Sequence, residues 1–126
     1  MERLTKAEEQ VMQALWKVGK GFVRDVLEAL PKPKRGAAPP AYTTVSTIIR
    51  ILEQKGFVGH EAFGRAHRYY PKVTMEQYSA RTVKRVVRDY FDGSAKGLLS
   101  HFIEKNDLST DDLDELLQLI QQRKRS

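Results

Sequence analysis

The chain contains no cysteine, which excludes disulfides, zinc fingers and thiolate metal sites together. Its three histidines, His60, His67 and His101, are scattered, without the His-x-x-x-His or carboxylate–histidine spacing of a metal centre. It has no phosphate-binding glycine loop and no nucleophile elbow around a serine. These absences argue against catalysis: no catalytic residue, no metal and no cofactor is expected, and the histidines read as structural or surface groups. No apolar run approaches the ~18 residues that span a bilayer. The opening Met1-Glu2-Arg3-Leu4-Thr5 lacks the apolar stretch of a secretory signal. The expectation is a cytoplasmic protein with no membrane insertion. Proline is scarce outside one stretch, since four of the five lie within residues 31–41.

At 126 residues, 40% of them hydrophobic and 30% charged, the chain has room for one small domain with an appendage. Its net charge is +6, and the placement of that charge is informative. Residues 1–73 carry 13 Lys and Arg against 7 Asp and Glu, whereas residues 74–126 carry 9 of each. The whole excess therefore sits in the front part, which suits a polyanionic partner there and a different task behind.

Thr5 followed by Glu8 has the spacing of a capping box, and Ala7, Val11, Ala14, Leu15 and Val18 then recur at helical spacing. Gly19 and Gly21 end this helix. Val23, Val26, Leu27 and Leu30 mark a second amphipathic segment whose start carries no capping residue, and Pro31 and Pro33 stop it. Residues 31–41 can be neither helix interior nor central strand, so they read as a long surface loop. A third helix is expected from about Thr43 to Lys55, with Gly56 just beyond it. Val45, Ile48, Ile49 and Leu52 form its apolar stripe. Its other face, Thr43, Thr44, Ser46, Thr47 and Arg50, is poor in helix formers and holds no acid before Glu53. Such a thin, uncharged-to-positive surface fits a major groove. Phe57–Phe63 and Ala66–Pro71 around Gly64-Arg65 read as a β-hairpin. Three helices and then a hairpin make a winged helix-turn-helix, with Arg65 at the wing tip. The residues expected at DNA are Tyr42, Thr43, Thr44, Ser46, Thr47, Arg50, Arg65 and His67. Lys32, Lys34 and Arg35 read as a solvated basic loop.

The back part reads as wholly helical. Thr74 and Gln77 form a second capping box, Asp92-Gly93-Ser94 breaks the chain, and Ser109 with Asp112 caps a last helix flanked by a Leu108/Leu113 staple. Arg81, Lys84, Arg85 and Arg88 form a solvated basic stripe. About 50 residues cannot bury a robust core alone. Val83, Val87, Tyr90, Phe91, Leu98, Leu99, Phe102, Leu113, Leu116, Leu117 and Ile120 therefore read as a dimerisation surface, because two-fold dimers dominate soluble oligomers. The fold expected is mainly α with a small β-hairpin: a winged-helix DNA-binding domain over 1–73 and a helical dimerisation domain over 74–126. Paired reading helices then call for double-stranded DNA with a palindromic operator.

The chain also resembles the penicillinase repressor (BlaI/MecI) family. The resemblance is carried by Leu4-Thr5-x-Ala7-Glu8 with Leu15-Trp16, and by Ala41-Tyr42-Thr43-Thr44-Val45-x-Thr47-Ile48. Leu52-Glu53-x-Lys55-Gly56-Phe57, Phe63-Gly64-Arg65, Tyr69-Tyr70-Pro71 and Tyr90-Phe91-Asp92-Gly93-Ser94 extend it. It implies a dimeric repressor of resistance or stress genes, partnered with a membrane metallopeptidase sensor that triggers repressor cleavage. The family's cleavage dipeptide, Asn-Phe in the helix after the Asp-Gly break, falls here on His101-Phe102 and departs from the pattern at His101. With no cysteine, the Cys-x-Cys switch of the copper-responsive branch is absent, and the loop at 31–40 is longer than in compact members.

Two other classes fit parts of the pattern. A ligand-sensing winged-helix regulator would need an apolar pocket, which Tyr78, Tyr90 and Phe91 could line. A protein-interaction module would offer the same wing and helix surfaces to an acidic partner. Steep salt dependence of duplex binding separates the DNA reading from both.

Overall fold

Thr5 starts the first helix as its spacing predicts. In the computed structural model, which describes residues 3–125, its hydroxyl accepts from Glu8 N–H at 3.2 Å while the Glu8 carboxylate accepts from Thr5 N–H at 2.8 Å. Met1 and Glu2, part of the opening stretch expected to lack a secretory signal, lie outside the described residues. Helix α1 (Lys6–Val18) buries Val11, Met12, Ala14 and Leu15. Ala7, placed on the apolar stripe by spacing, is exposed, and Met12, off that stripe, is fully buried. Both follow from α1 packing against two helices and a strand, which cover a wider and rotated arc of its surface.

Helix α2 (Val23–Ala29) begins without a side-chain cap from Phe22; instead the Asp25 carboxylate accepts from Phe22 N–H at 2.8 Å. That is half of a capping box, supplied from inside the helix. Residues 31–41 form an exposed connection, closed at its tip by a turn in which Ala37 N–H donates to the Lys34 carbonyl at 2.8 Å. Helix α3 (Tyr42–Gln54) starts one residue before the expected position and buries Val45, Ile49 and Leu52. Gly56 follows it at φ +85°, the left-handed conformation that ends helices.

Strands β1 (Val58–Phe63) and β2 (Ala66–Pro71) pair antiparallel, His60 opposite Tyr69 and Ala62 opposite His67. Gly64, at φ +60°, takes the first central position of the two-residue turn, where glycine suits a type II′ hairpin. A further strand element was not expected: Gly21 and Tyr69 exchange two backbone hydrogen bonds, of 3.0 and 2.8 Å. A one-residue bridge leaves no periodicity in a sequence, so pattern reading has nothing to find. It ties the α1–α2 connection to the wing.

The core joins these parts through Leu4, Met12, Leu15, Val26, Val45, Ile49, Leu52, Phe57, Val58 and Tyr69. Inside it Glu8 is buried, held by Lys55 Nζ at 3.0 and 2.9 Å from its two oxygens. Helix α4 (Met75–Tyr90) contributes Tyr78, whose ring lies 6.0 Å from both Trp16 and Phe57. Trp16 Nε1 donates to the Val73 carbonyl at 2.8 Å just ahead of it. The chain divides into two compact units, one up to Ser79 and the other from Ala80.

The second unit holds the rest of α4, α5 (Ala95–Glu104) and α6 (Thr110–Arg125). Asp92 and Gly93, both at positive φ, break the chain before α5, and the Ser94 hydroxyl caps it by accepting from Gly97 N–H. Ser109 and Asp112 form the reciprocal box at the start of α6, as their spacing predicts. No residue of α5 or α6 is buried. Among the described residues, no helix is long and apolar enough to cross a membrane.

Candidate nucleic-acid interface

Helix α3 and the wing converge on one cleft of the first unit. Tyr42, Ser46 and Arg50 line it from α3, Arg65, Ala66, His67 and Tyr69 from the hairpin, and Phe22 and Val23 from the start of α2. Five of the eight residues expected at DNA are thus brought together, and they bring two arginines with no carboxylate in the lining. Thr43, Thr44 and Thr47 are exposed on α3 outside the cleft. The Thr47 hydroxyl donates to the Thr43 carbonyl at 2.9 Å, so it keeps its lone pairs for an incoming donor.

The two faces of the wing differ in charge. On one face Glu61 is held by Lys20 at 3.0 Å and Arg68 at 3.2 Å, with the Arg68 guanidinium 5.0 Å from the Phe63 ring centre. Lys20 first, and then Arg68, keep the Glu61 carboxyl below its ordinary range. The side chains of Glu61 and His60 alternate across the sheet, so this anion points away from the cleft face. His60 and His67 stack on that face with ring centres 4.2 Å apart and planes within 10°. They are diagonal neighbours in the register, and the twist of a two-stranded ribbon brings such pairs together. His60 Nδ1 also bonds the Glu53 carboxylate of α3, which fixes the wing against the helix.

Tyr69 is the residue that pattern reading missed. It is 4% exposed, stands opposite His60 and lines the cleft together with Arg50. Burial pushes the Tyr69 hydroxyl above its usual pKa and Glu53 adds to the effect, while Arg50 opposes it. The only signal in the chain is its place two residues after His67 in an alternating strand, which puts both side chains on one face. Phe22 and Val23 carry no such signal, since the start of α2 has no cap to read.

The residues expected at a dimer contact lie in the second unit. Val83, Tyr90, Leu99, Phe102, Leu117 and Ile120 are exposed, Tyr90 most of all at 80%, and Val87, Phe91, Leu98, Leu113 and Leu116 are half-buried. Leu99, Leu113, Leu116, Leu117 and Ile120 line one open apolar groove with Ile103 and the staple residue Leu108. His101 lies between two aromatic rings, 5.7 Å from Phe91 and 6.2 Å from Phe102. Tyr78, considered for a ligand pocket, packs instead in the core of the first unit. No group of three or more His, Asp or Glu among the described residues is arranged to hold a metal ion.

Comparison with known proteins places the chain among transcription regulators. The family profile described as "Penicillinase repressor" matches residues 4–122. The methicillin resistance regulatory protein MecI of Staphylococcus aureus (strain N315) is 25% identical over 120 residues, which cover 95% of this chain and 94% of that protein. The transcriptional regulator BlaI of Mycobacterium tuberculosis is 33% identical over 118 residues, covering 92% and 81% respectively. Among solved structures, the monomeric form of Bacillus licheniformis BlaI in complex with the blaP half-operator matches 61% of this chain and 89% of that one. It does so at 25% identity and a TM-score of 0.47.

Proposed function

This chain belongs to the penicillinase repressor family, and from that premise we propose that it is a transcriptional repressor that binds a palindromic DNA operator as a homodimer. The observation that carries the reading is the convergence of Tyr42, Ser46 and Arg50 with Arg65 and His67 in a cleft without carboxylates. Helix α3 enters the major groove. Arg50, the long cation on its polar face, reads a base edge or grips a phosphate beside it. Arg65 at the hairpin turn reaches the neighbouring backbone or minor groove, and His67 follows it along the strand.

The second unit holds two such modules at adjoining half-sites. Three amphipathic helices that leave Leu99, Ile103, Leu117 and Ile120 exposed lack a covering surface, and a second copy supplies it. Linking two modules makes the second half-site contact effectively intramolecular, so the dimer outbinds a monomer by orders of magnitude. Cutting the chain between α4 and α6 undoes that advantage. We assign this role to the region around His101-Phe102, with a membrane metallopeptidase sensor as the agent and a resistance or stress operon as the target. The protein works in the cytoplasm, where its DNA is.

A salt titration of binding to duplex DNA tests the reading. Affinity is expected to fall steeply with salt while preference for one selected sequence persists. Failure to bind any duplex would overturn it and favour a protein-interaction module; binding that a small ligand abolishes without proteolysis would favour a ligand sensor.

A further inference from the structure

We infer that the proline-rich loop between α2 and α3, residues 31–41, is a second DNA contact that grips backbone phosphates beside the groove that α3 enters. The inference rests on the reading of α3 as the helix that meets DNA. No Asp or Glu stands between Glu28 and Glu53, and the cations of that stretch are Lys32, Lys34 and Arg35 in the loop and Arg50 on α3. The loop thus runs, with no acid intervening, into the helix whose first residue, Tyr42, lines the cleft. All three loop cations are exposed. Elsewhere in the first unit Lys20 and Arg68 hold Glu61, and Lys55 holds Glu8. Among the described residues, by contrast, no carboxylate pairs with Lys32, Lys34 or Arg35. Their charge is left for an outside anion.

The loop is shaped to present these charges. Pro31 and Pro33 on one arm, and Pro39 and Pro40 on the other, line a single groove with Leu27 and Leu30 of α2. Glu28 and Lys32 share that lining without forming an ion pair. The arms meet in a turn where Ala37 N–H donates to the Lys34 carbonyl at 2.8 Å and Gly36 takes φ +86°, which places Lys34 and Arg35 at the tip. Lys32 is kept extended by Pro33 behind it. Proline rings remove freedom that a flexible basic loop would have to give up on binding. Reach also fits. Arg35 stands seven residues before Tyr42, so even extended chain keeps it within about 25 Å of the start of α3, the length of roughly seven base pairs. The duplex held by α3 is the polyanion inside that radius.

The test uses the full-length protein with a duplex selected by it from a random pool and a shuffled duplex of the same composition. The triple variant Lys32→Ala, Lys34→Ala, Arg35→Ala removes the loop's charge. Its affinity at 0.1 M salt should fall about ten- to hundredfold, and the slope of log affinity against log salt should flatten by about 2–3, the contribution of two or three phosphates. The loss should be equal on the selected and the shuffled duplex, because phosphate contacts carry no sequence information. Lys32→Arg with Lys34→Arg keeps the charge and should bind within about twofold of wild type. In an ethylation-interference experiment, phosphates within roughly seven base pairs of those lost in Arg50→Ala should stop mattering in the triple variant. A triple variant with unchanged affinity and salt slope would overturn the inference while leaving the DNA reading in place. So would an arginine variant as weak as the alanine one, which would assign the loop a packing role. Wild-type protein that binds no duplex at all would remove the DNA reading and this inference together, and would turn the loop toward an acidic protein.

Discussion

Glu8 shows how much a single residue does here. It caps α1 through the Thr5 backbone and closes the core against Lys55, while being only 5% exposed. Burial raises its pKa, but the hydrogen bonds from Lys55 and Thr5 outweigh burial and leave it lowered. The folded state therefore gains stability that is complete above the ordinary glutamate range and is lost as pH falls through the lowered value. Glu8→Gln should cost about 2 kcal/mol at neutral pH, less than for a fully buried pair because Lys55 can rehydrate. Denaturant melts across pH 3–7 check this: the gap between variant and wild type should close at the acid end, and a gap independent of pH would contradict it. Arg50→Ala should cost ~1–3 kcal/mol on the selected duplex and less on a shuffled one if it reads a base. Equal losses with a flatter salt slope would assign it to phosphate. The cap role of Glu8 was legible in the Thr5–Glu8 spacing. Its partner Lys55 was not, because nothing local links residues 47 positions apart.

At the scale of elements, the sequence was most legible where a period and a boundary residue agree. Helix α3 combines a stripe of Val45, Ile49 and Leu52 with Gly56 beyond it, and it was misplaced by a single residue. The hairpin combines aromatic alternation with Gly64, and both strands fell within one residue of expectation. The start of α2 was not legible because Asp25 caps it from within, and the Gly21 bridge was not because one residue has no pattern. The wing also contains a glycine whose reason is visible only in three dimensions. A Cβ on Gly59 would lie 2.7 Å from the end of the Tyr70 ring, which in turn packs with Lys20 Nζ 5.6 Å from its centre. Gly59→Ala should push Tyr70 aside and destabilise the protein by about 1–2 kcal/mol. A tyrosine side-chain NMR spectrum and a thermal melt check it, and an unshifted Tyr70 resonance would contradict the account.

For the whole molecule, the instructive residue is Tyr78. Charge and the Thr74 capping box suggest a division at 73/74, but Tyr78 packs with Trp16 and Phe57, and the compact unit extends to Ser79. A fragment ending at Ser79 should therefore be more stable than one ending at Val73, by up to ~3 kcal/mol for the lost aromatic burial. Denaturant midpoints of the two fragments check it; equal midpoints would contradict it. The charge split said nothing of where packing stops, since an uncharged ring on the next helix carries no charge signal. The exposed apolar faces of α5 and α6 were legible as stripes, and they are unburied within one chain, which is the observation behind the proposed dimer. Whether the protein is a dimer that reads paired sites through α3 is decided by selecting duplexes from a random pool with the full-length protein and sequencing those retained. The account predicts two inverted half-sites with centres about 10 base pairs, or a whole multiple of that, apart; enrichment of a single unrepeated site, or of none, would contradict it.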